Sequence, residues 1–327
     1  MLPCYACFYD KEQSDFSSIN PYPRINSVFS WKNPTKLPPD KDEENPTHIG
    51  LLEKYNIPYI IDIHAHFFPE LIMKLIWRWF DKVNWQISYR ESEHKRVQSL
   101  LHNKVYRYTT LNYAHKSDMA DRLNTYIYEN YKNWKGSIPF GTFYPEPGVL
   151  EYTQKAVERF KFRGFKLHCE VSKLNLNTTE LSETFYYLQE EQIPIIIHTG
   201  TAPLPGEFTG ITYFRPFIEK FPKLNVIIAH MGAFEIDKYT ELLTLFPNVK
   251  LDTTMVFVDF QATGSDISEH IKKLELHSDR IFFGSDFPNI PYIIGHPIME
   301  ILSLPISAEA KRKILYKNAL ELFNFTD

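Results

Sequence analysis

The chain has 327 residues, of which 43% are hydrophobic and 23% charged, with a net charge of −4. These are globular values, and the length suffices for one large domain with a sizeable core. No run of Lys or Arg points to nucleic acid or an anionic membrane, and no apolar stretch reaches the about 18 residues of a membrane helix. The start, Met1-Leu2-Pro3-Cys4-Tyr5, lacks the basic and apolar regions of a secretory signal, so a cytoplasmic location is expected.

Residues 1–50 are rich in Pro, Asn and Asp with little periodicity, and read as an irregular N-terminal extension. Its aromatic residues, among them Phe8, Tyr9, Phe16 and Trp31, predict that it packs on the domain formed by residues 51–327. Cys4 and Cys7 make a lone C-x-x-C with no second pair, which carries little weight for zinc or redox chemistry. The first strand is expected at Tyr59–His66. His64 and His66, two residues apart, then point the same way at its carboxyl end, with Asp62 one step behind. Residues 70–103 hold one or two helices. Phe67, Phe68, Trp77, Trp79, Phe80 and Trp85 give this connection more apolar surface than a peripheral helix can bury. Part of it should wall the pocket or meet another subunit.

Further strands are expected at Val105–Asn112, Ser137–Phe143, 163–168, 193–198, 225–230, Asn248–Asp252 and 280–285. Helices are expected between them, beginning with Ser117–Trp134, where Ser117 or Asp118 is the predicted cap, and ending with Ala308–Phe323. Several strands are continuous apolar runs closed by a polar group: Lys166 and His168, then His198, His230 and Asp286. Such runs suit parallel strands buried on both faces, and alternation with helices implies right-handed crossovers. Eight units with their polar ends together predict a closed (β/α)8 TIM barrel of the α/β class. A doubly wound sheet is the competitor, but no Gly-x-Gly-x-x-Gly turn follows the first strand.

The ordered set resembles the amidohydrolase superfamily of metal-dependent barrels. Within it, the motifs are similar to the amidohydrolase-related family that includes aminocarboxymuconate-semialdehyde decarboxylase. They are Asp62-x-His64-x-His66-x-x-Pro69, Gly164-Phe165-Lys166-Leu167-His168, Ile197-His198-Thr199-Gly200, Ala229-His230-Met231-Gly232, Phe283-Gly284-Ser285-Asp286-Phe287-Pro288 and Asn318-Ala319-Leu320-Glu321-Leu322-Phe323. The resemblance implies that His64, His66, His198 and Asp286 hold one divalent metal, zinc or manganese, with His230 as the neighbouring acid/base. Lys166 corresponds to the carboxylated lysine that bridges two metals in other branches, and would otherwise hold a substrate carboxylate. His168, on the face of Lys166, is a substrate-binding candidate. Asp62 is expected to orient the imidazoles from behind or to anchor the barrel floor. Asp252 and Thr254 are expected to support the ligands.

The leading expectation is a metal-dependent hydrolase of a small-molecule amide or lactone. In it, Asp286 takes the proton of the attacking water and His230 protonates the leaving group or steadies the oxyanion. The alternative is a nonoxidative decarboxylase or hydratase of an aromatic-derived acid, with Lys166, Arg107, Arg90 or Arg215 as the carboxylate's cation. A non-catalytic barrel that keeps the motifs as a remnant is a third class, against which the full ligand set argues. A small-molecule substrate and a homodimer or higher homo-oligomer are the expected partners.

Overall fold

The computed structural model describes residues 48–82, 85–203, 205–258 and 267–326. The extension to residue 47, with Cys4 and Cys7, lies outside the described residues. A helix, His48–Lys54, spans the boundary expected at residue 50.

Eight parallel strands follow in chain order: β1 Ile60–Asp62, β2 Val105–Thr110, β3 Ser137–Gly141, β4 Gly164–His168, β5 Ile195–His198, β6 Val226–Ile228, β7 Val249–Asp252 and β8 Ile281–Phe282. Their order in the sheet is the order of the sequence, which a doubly wound sheet would break. Three backbone bonds close the ring from the last strand to the first. Ile63 N donates to Phe283 O at 3.1 Å, Asp286 N to His64 O at 2.8 Å, and His66 N to Phe287 O at 2.6 Å. The architecture is a TIM barrel, as expected, and the buried runs Ile195-Ile196-Ile197 and Val226-Ile227-Ile228 explain why its strands need no polar alternation: both faces are buried.

All eight strands are shorter than expected, and the first and the last lose most, for a physical reason. Past Asp62 the first strand keeps only scattered pairing, including bridges of Ala65 with Phe287 and His66 with Leu111. The last strand leaves its ladder after Phe282, because Phe283 N donates to Ile314 O at 2.9 Å, in the π-helical turn Lys313–Lys317.

The long connection after β1 forms two helices, Glu70–Lys82 and Glu93–His102. Phe68, Met73, Ile76, Trp77, Trp85 and Ile87 form a second core with Tyr113 and Leu123. Three hydrogen bonds tie the connection to the loop after β8. Trp85 Nε1 donates to Asn289 O at 2.7 Å, Ser88 N to Ile290 O at 2.9 Å, and Ile294 N to Tyr89 Oη at 2.8 Å. Most of the apolar surface flagged in the sequence is thus absorbed within the chain, although Leu71 remains 60% exposed.

Neither Ser117 nor Asp118 caps the following helix, which begins at Ala120. Asp118 instead takes a left-handed turn, φ 60°, and its N–H meets Glu146 Oε2. A helix at Gly295–Ser303 was not anticipated between the last strand and Ala308. Among the described residues, no helix is long and apolar enough to cross a membrane.

Candidate metal centre

The carboxyl ends of the strands bring the predicted residues together. His66 Nε2 lies 2.9 Å from Asp286 Oδ1, and His64 Nε2 lies 3.6 Å from the same oxygen. These three residues are the described group whose ligand atoms all fall within 4.8 Å of one another. His198 sits one ring further round. Its imidazole stacks on His168 at 4.1 Å between centroids and meets His230 edge-on at 4.8 Å. The fourth expected ligand therefore adjoins the triad rather than joining it. His230 in turn lies 5.1 Å from the ring of His64.

Hydrogen bonds fix several tautomers. Asp252 Oδ2 lies 2.8 Å from His64 Nδ1, so that nitrogen carries the hydrogen and Nε2 keeps a lone pair. Lys166 Nζ donates to Nε2 from 3.0 Å. His230 Nδ1 donates to the Thr254 carbonyl at 3.0 Å, which leaves its Nε2 as an acceptor. His168 Nδ1 accepts from Val171 N at 3.3 Å, so its Nε2 bears the hydrogen. Asp252 Oδ1 also accepts from His230 N at 2.8 Å and Thr254 N at 3.1 Å, as the sequence expectation for Asp252 and Thr254 requires.

Of the two roles expected for Asp62, its contacts are those of an anchor. It touches neither imidazole: Oδ1 accepts from His64 N at 2.9 Å and Ser285 N at 3.2 Å, and Oδ2 accepts from Ser285 Oγ at 2.5 Å. An aspartate readily reaches the N–H two residues on, which pins the backbone and leaves the rings to other partners. Burial pushes Asp62 up to about 7 against the pull of these donors.

Burial also sets the charge state of the cluster. It lowers His64 to about 3, with the Lys166 charge adding to the effect. His168 and His198 fall well below 6.5 through burial and then through their neighbouring charges, and His230 is lowered by burial. Burial opposes ionisation of Asp286 and Asp252. Contacts with His66 for the one and His64 for the other outweigh it, and both carboxyls stay below their ordinary range. Burial brings Lys166 down to about 8. Neutral imidazoles beside an ionised carboxylate are the protonation state in which these groups bind metal.

The donor set fits a divalent ion. Two imidazole nitrogens and a carboxylate oxygen suit zinc or manganese. His66 Nδ1, His198 Nδ1 and Thr254 Oγ1 are buried with no hydrogen-bond partner among the described residues, and such atoms call for an ion or water.

Residues 61–325 match the family model described as Amidohydrolase. The chain belongs to the amidohydrolase family. The chain also resembles solved structures at low identity. An uncharacterized TIM-barrel protein from Bordetella bronchiseptica is 18% identical with a TM-score of 0.65, over 81% of this chain and 98% of that one. The 5-carboxyvanillate decarboxylase of Novosphingobium aromaticivorans, solved with manganese and 4-hydroxy-3-methoxy-5-nitrobenzoic acid, is 15% identical with a TM-score of 0.59, over 82% and 96%. Dihydroorotase from Campylobacter jejuni is 14% identical with a TM-score of 0.54, over 82% and 84%. At these identities the likeness is one of fold. No curated protein matches the sequence.

The backbone is unusual at two of the residues brought together here. His230, Met231 and Gly232 take φ of 55°, 50° and 74° in succession, and Asp286 takes 66°. Non-glycine residues in this region mark turns held by their surroundings, often at sites. A Cβ on Gly232 would meet the Tyr239 ring at 2.0 Å, so this turn needs glycine.

Two neighbours escaped the sequence reading. Tyr113 packs its ring on His66 at 5.7 Å and on His168 at 5.0 Å. Thr142 Oγ1 donates to the Lys166 carbonyl at 2.9 Å and steadies β4 beneath the lysine. Strand-end position was the available signal for both. Of the candidate cations, Lys166 reaches the cluster. Arg90 pairs with Asp81, Arg215 with Glu219 at 3.0 Å, and Arg107 lies 4.0 Å from the Phe325 ring centre.

Proposed function

We propose that this amidohydrolase is a metal-dependent hydrolase of a small-molecule amide or lactone. The observation that carries the reading is the contact of one Asp286 oxygen with both His64 and His66, where burial holds His64 neutral. His64, His66 and Asp286 would hold the ion, with His198 as the fourth candidate. A divalent ion supplies a Lewis acid that polarises a carbonyl and lowers the pKa of water toward neutrality. One ion is the reading; two would require carboxylation of Lys166, which here donates to His64.

The chain's own groups divide the remaining work. The Asp286 carboxylate, held ionised, accepts the proton of the attacking water. His230 takes that proton over from Asp286 on its free Nε2 and delivers it to the leaving group, its ring oriented by Thr254 and its backbone by Asp252. His168 offers an Nε2–H to a substrate oxygen. Phe68, Tyr113 and the Trp85 strap exclude water from one side of the mouth.

The alternative of decarboxylating or hydrating an aromatic-derived acid is favoured by one observation. Lys166, mostly protonated at pH 7 with its value near 8, is a buried cation in the cluster. Its bond to His64, and the engagement of the three arginines with Asp81, Glu219 and Phe325, weigh toward hydrolysis. Full-length protein loaded with zinc or manganese should release acid from a panel of lactones and amides. Release of carbon dioxide from aromatic acids, with no hydrolysis, would replace the first reading with the second.

A further inference from the structure

We infer that Asp62 and Ser285 are positioning residues for the Asp286 carboxylate, and that this pair sets how tightly the site holds a metal. The inference rests on the metal reading of His64, His66 and Asp286. Those three come from the first and the last strands, so their spacing depends on the seam where the barrel closes. A regular parallel ladder does not run through that seam. Ser285 N, which would serve the ladder, donates to the Asp62 carboxylate at 3.2 Å, and Ser285 Oγ donates to the same carboxylate at 2.5 Å. Asp62 meanwhile accepts the N–H of His64 at 2.9 Å, so one carboxylate grips both strands: it stands two residues before His64, and the Ser285 it holds stands one residue before Asp286.

The hydroxyl has a second use. Ser285 Oγ accepts from Phe287 N at 2.9 Å, which fixes the backbone on both sides of Asp286. Between these anchors Asp286 takes φ of 66°, and its N–H donates to His64 O at 2.8 Å. Its carboxylate thereby faces His66. The strands also approach closely here: a Cβ on Gly284 would lie 2.7 Å from the His64 Cβ. Both Asp62 and Ser285 are fully buried, so no water can replace a lost donor cheaply. A group one bond removed from a ligand typically changes metal affinity about 10- to 100-fold when it is lost.

The test is metal affinity of the full chain, stripped and titrated with zinc and with manganese against a chelator indicator. Wild type, Ser285→Ala and Ser285→Thr are compared, with the melting temperature of each metal-free protein recorded alongside. Ser285→Ala should bind at least about tenfold more weakly, and Ser285→Thr, which keeps the hydroxyl, should recover most of the affinity. If Ser285→Ala does not fold, Asp62→Asn makes the same comparison, since its carboxamide oxygen still accepts both backbone N–H groups while the charged acceptor is gone. A folded variant that melts lower yet binds metal as wild type does would overturn the inference and leave a purely structural clamp. Wild type that binds no metal at all would instead overturn the proposed function.

Discussion

His64 gives its Nδ1–H to Asp252 over 2.8 Å, and this one bond decides which nitrogen of the ring can meet a metal. In Asp252→Asn the carboxamide oxygen can keep the N–H groups of His230 and Thr254, while its NH2 faces the imidazole and favours the opposite tautomer. Metal affinity is expected to fall about 10- to 100-fold with the fold retained, as read by chelator competition and circular dichroism. Equal affinity in the variant would show that Asp252 matters only to the backbone it holds.

The two histidines on either side of the triad should part company. His198→Ala, like Asp286→Asn, is expected to release the metal without unfolding the barrel, because His198 ends β5 and Asp286 lies in the loop beyond β8, outside the packed strands. His230→Asn should keep it and lose about 10²- to 10⁴-fold in kcat, the worth of a positioned proton donor. Metal analysis of the three variants separates the roles, and loss of metal in His230→Asn equal to that in His198→Ala would make His230 a ligand.

Acid should weaken the fold through its buried histidines. Burial lowers His115 to about 4, below the 6.5 of an exposed imidazole, so the unfolded chain binds the proton more readily. Its stabilising contribution is present above pH 6.5 and is lost as pH falls from there toward 4. Between pH 7 and 5 this amounts to about 2 kcal/mol. Urea unfolding at the two pH values should show a smaller drop for His115→Gln than for wild type, and an identical drop would place the acid sensitivity elsewhere.

The strap across the mouth can be loosened at one atom. Trp85→Phe removes the N–H that Asn289 O accepts and should lower stability by about 1–3 kcal/mol. If the strap walls the substrate, KM should rise more than kcat falls. Unchanged kinetics in a destabilised variant would make it packing alone.

Much of this was legible in the sequence because buried parallel strands advertise themselves. Runs such as Ile193-Pro194-Ile195-Ile196-Ile197-His198 announced both the strand and the residue at its end. The seam was not legible. Its pairing depends on Ser285 and Asp62 meeting across 223 positions, and on a π-helical turn that offers Ile314 O to Phe283, neither of which local pattern encodes. His198 illustrates a different limit. Strand order placed it at the mouth, but side-chain reach decided that His64, His66 and Asp286 converge while His198 stacks on His168. The helix Gly295–Ser303 was missed although Ile298, Ile301 and Leu302 follow helical spacing, because the Gly-His-Pro start reads as a loop.

His64 and His66 after the first strand and Asp286 after the last are the groups that would hold the metal. Protein purified without chelator, or equilibrated with zinc or manganese and desalted, should carry about one divalent ion per chain by elemental analysis. That ion should be absent from His64→Ala and Asp286→Asn proteins that remain folded. A folded wild type that retains neither metal would contradict the account, and two ions per chain would point to a carboxylated Lys166.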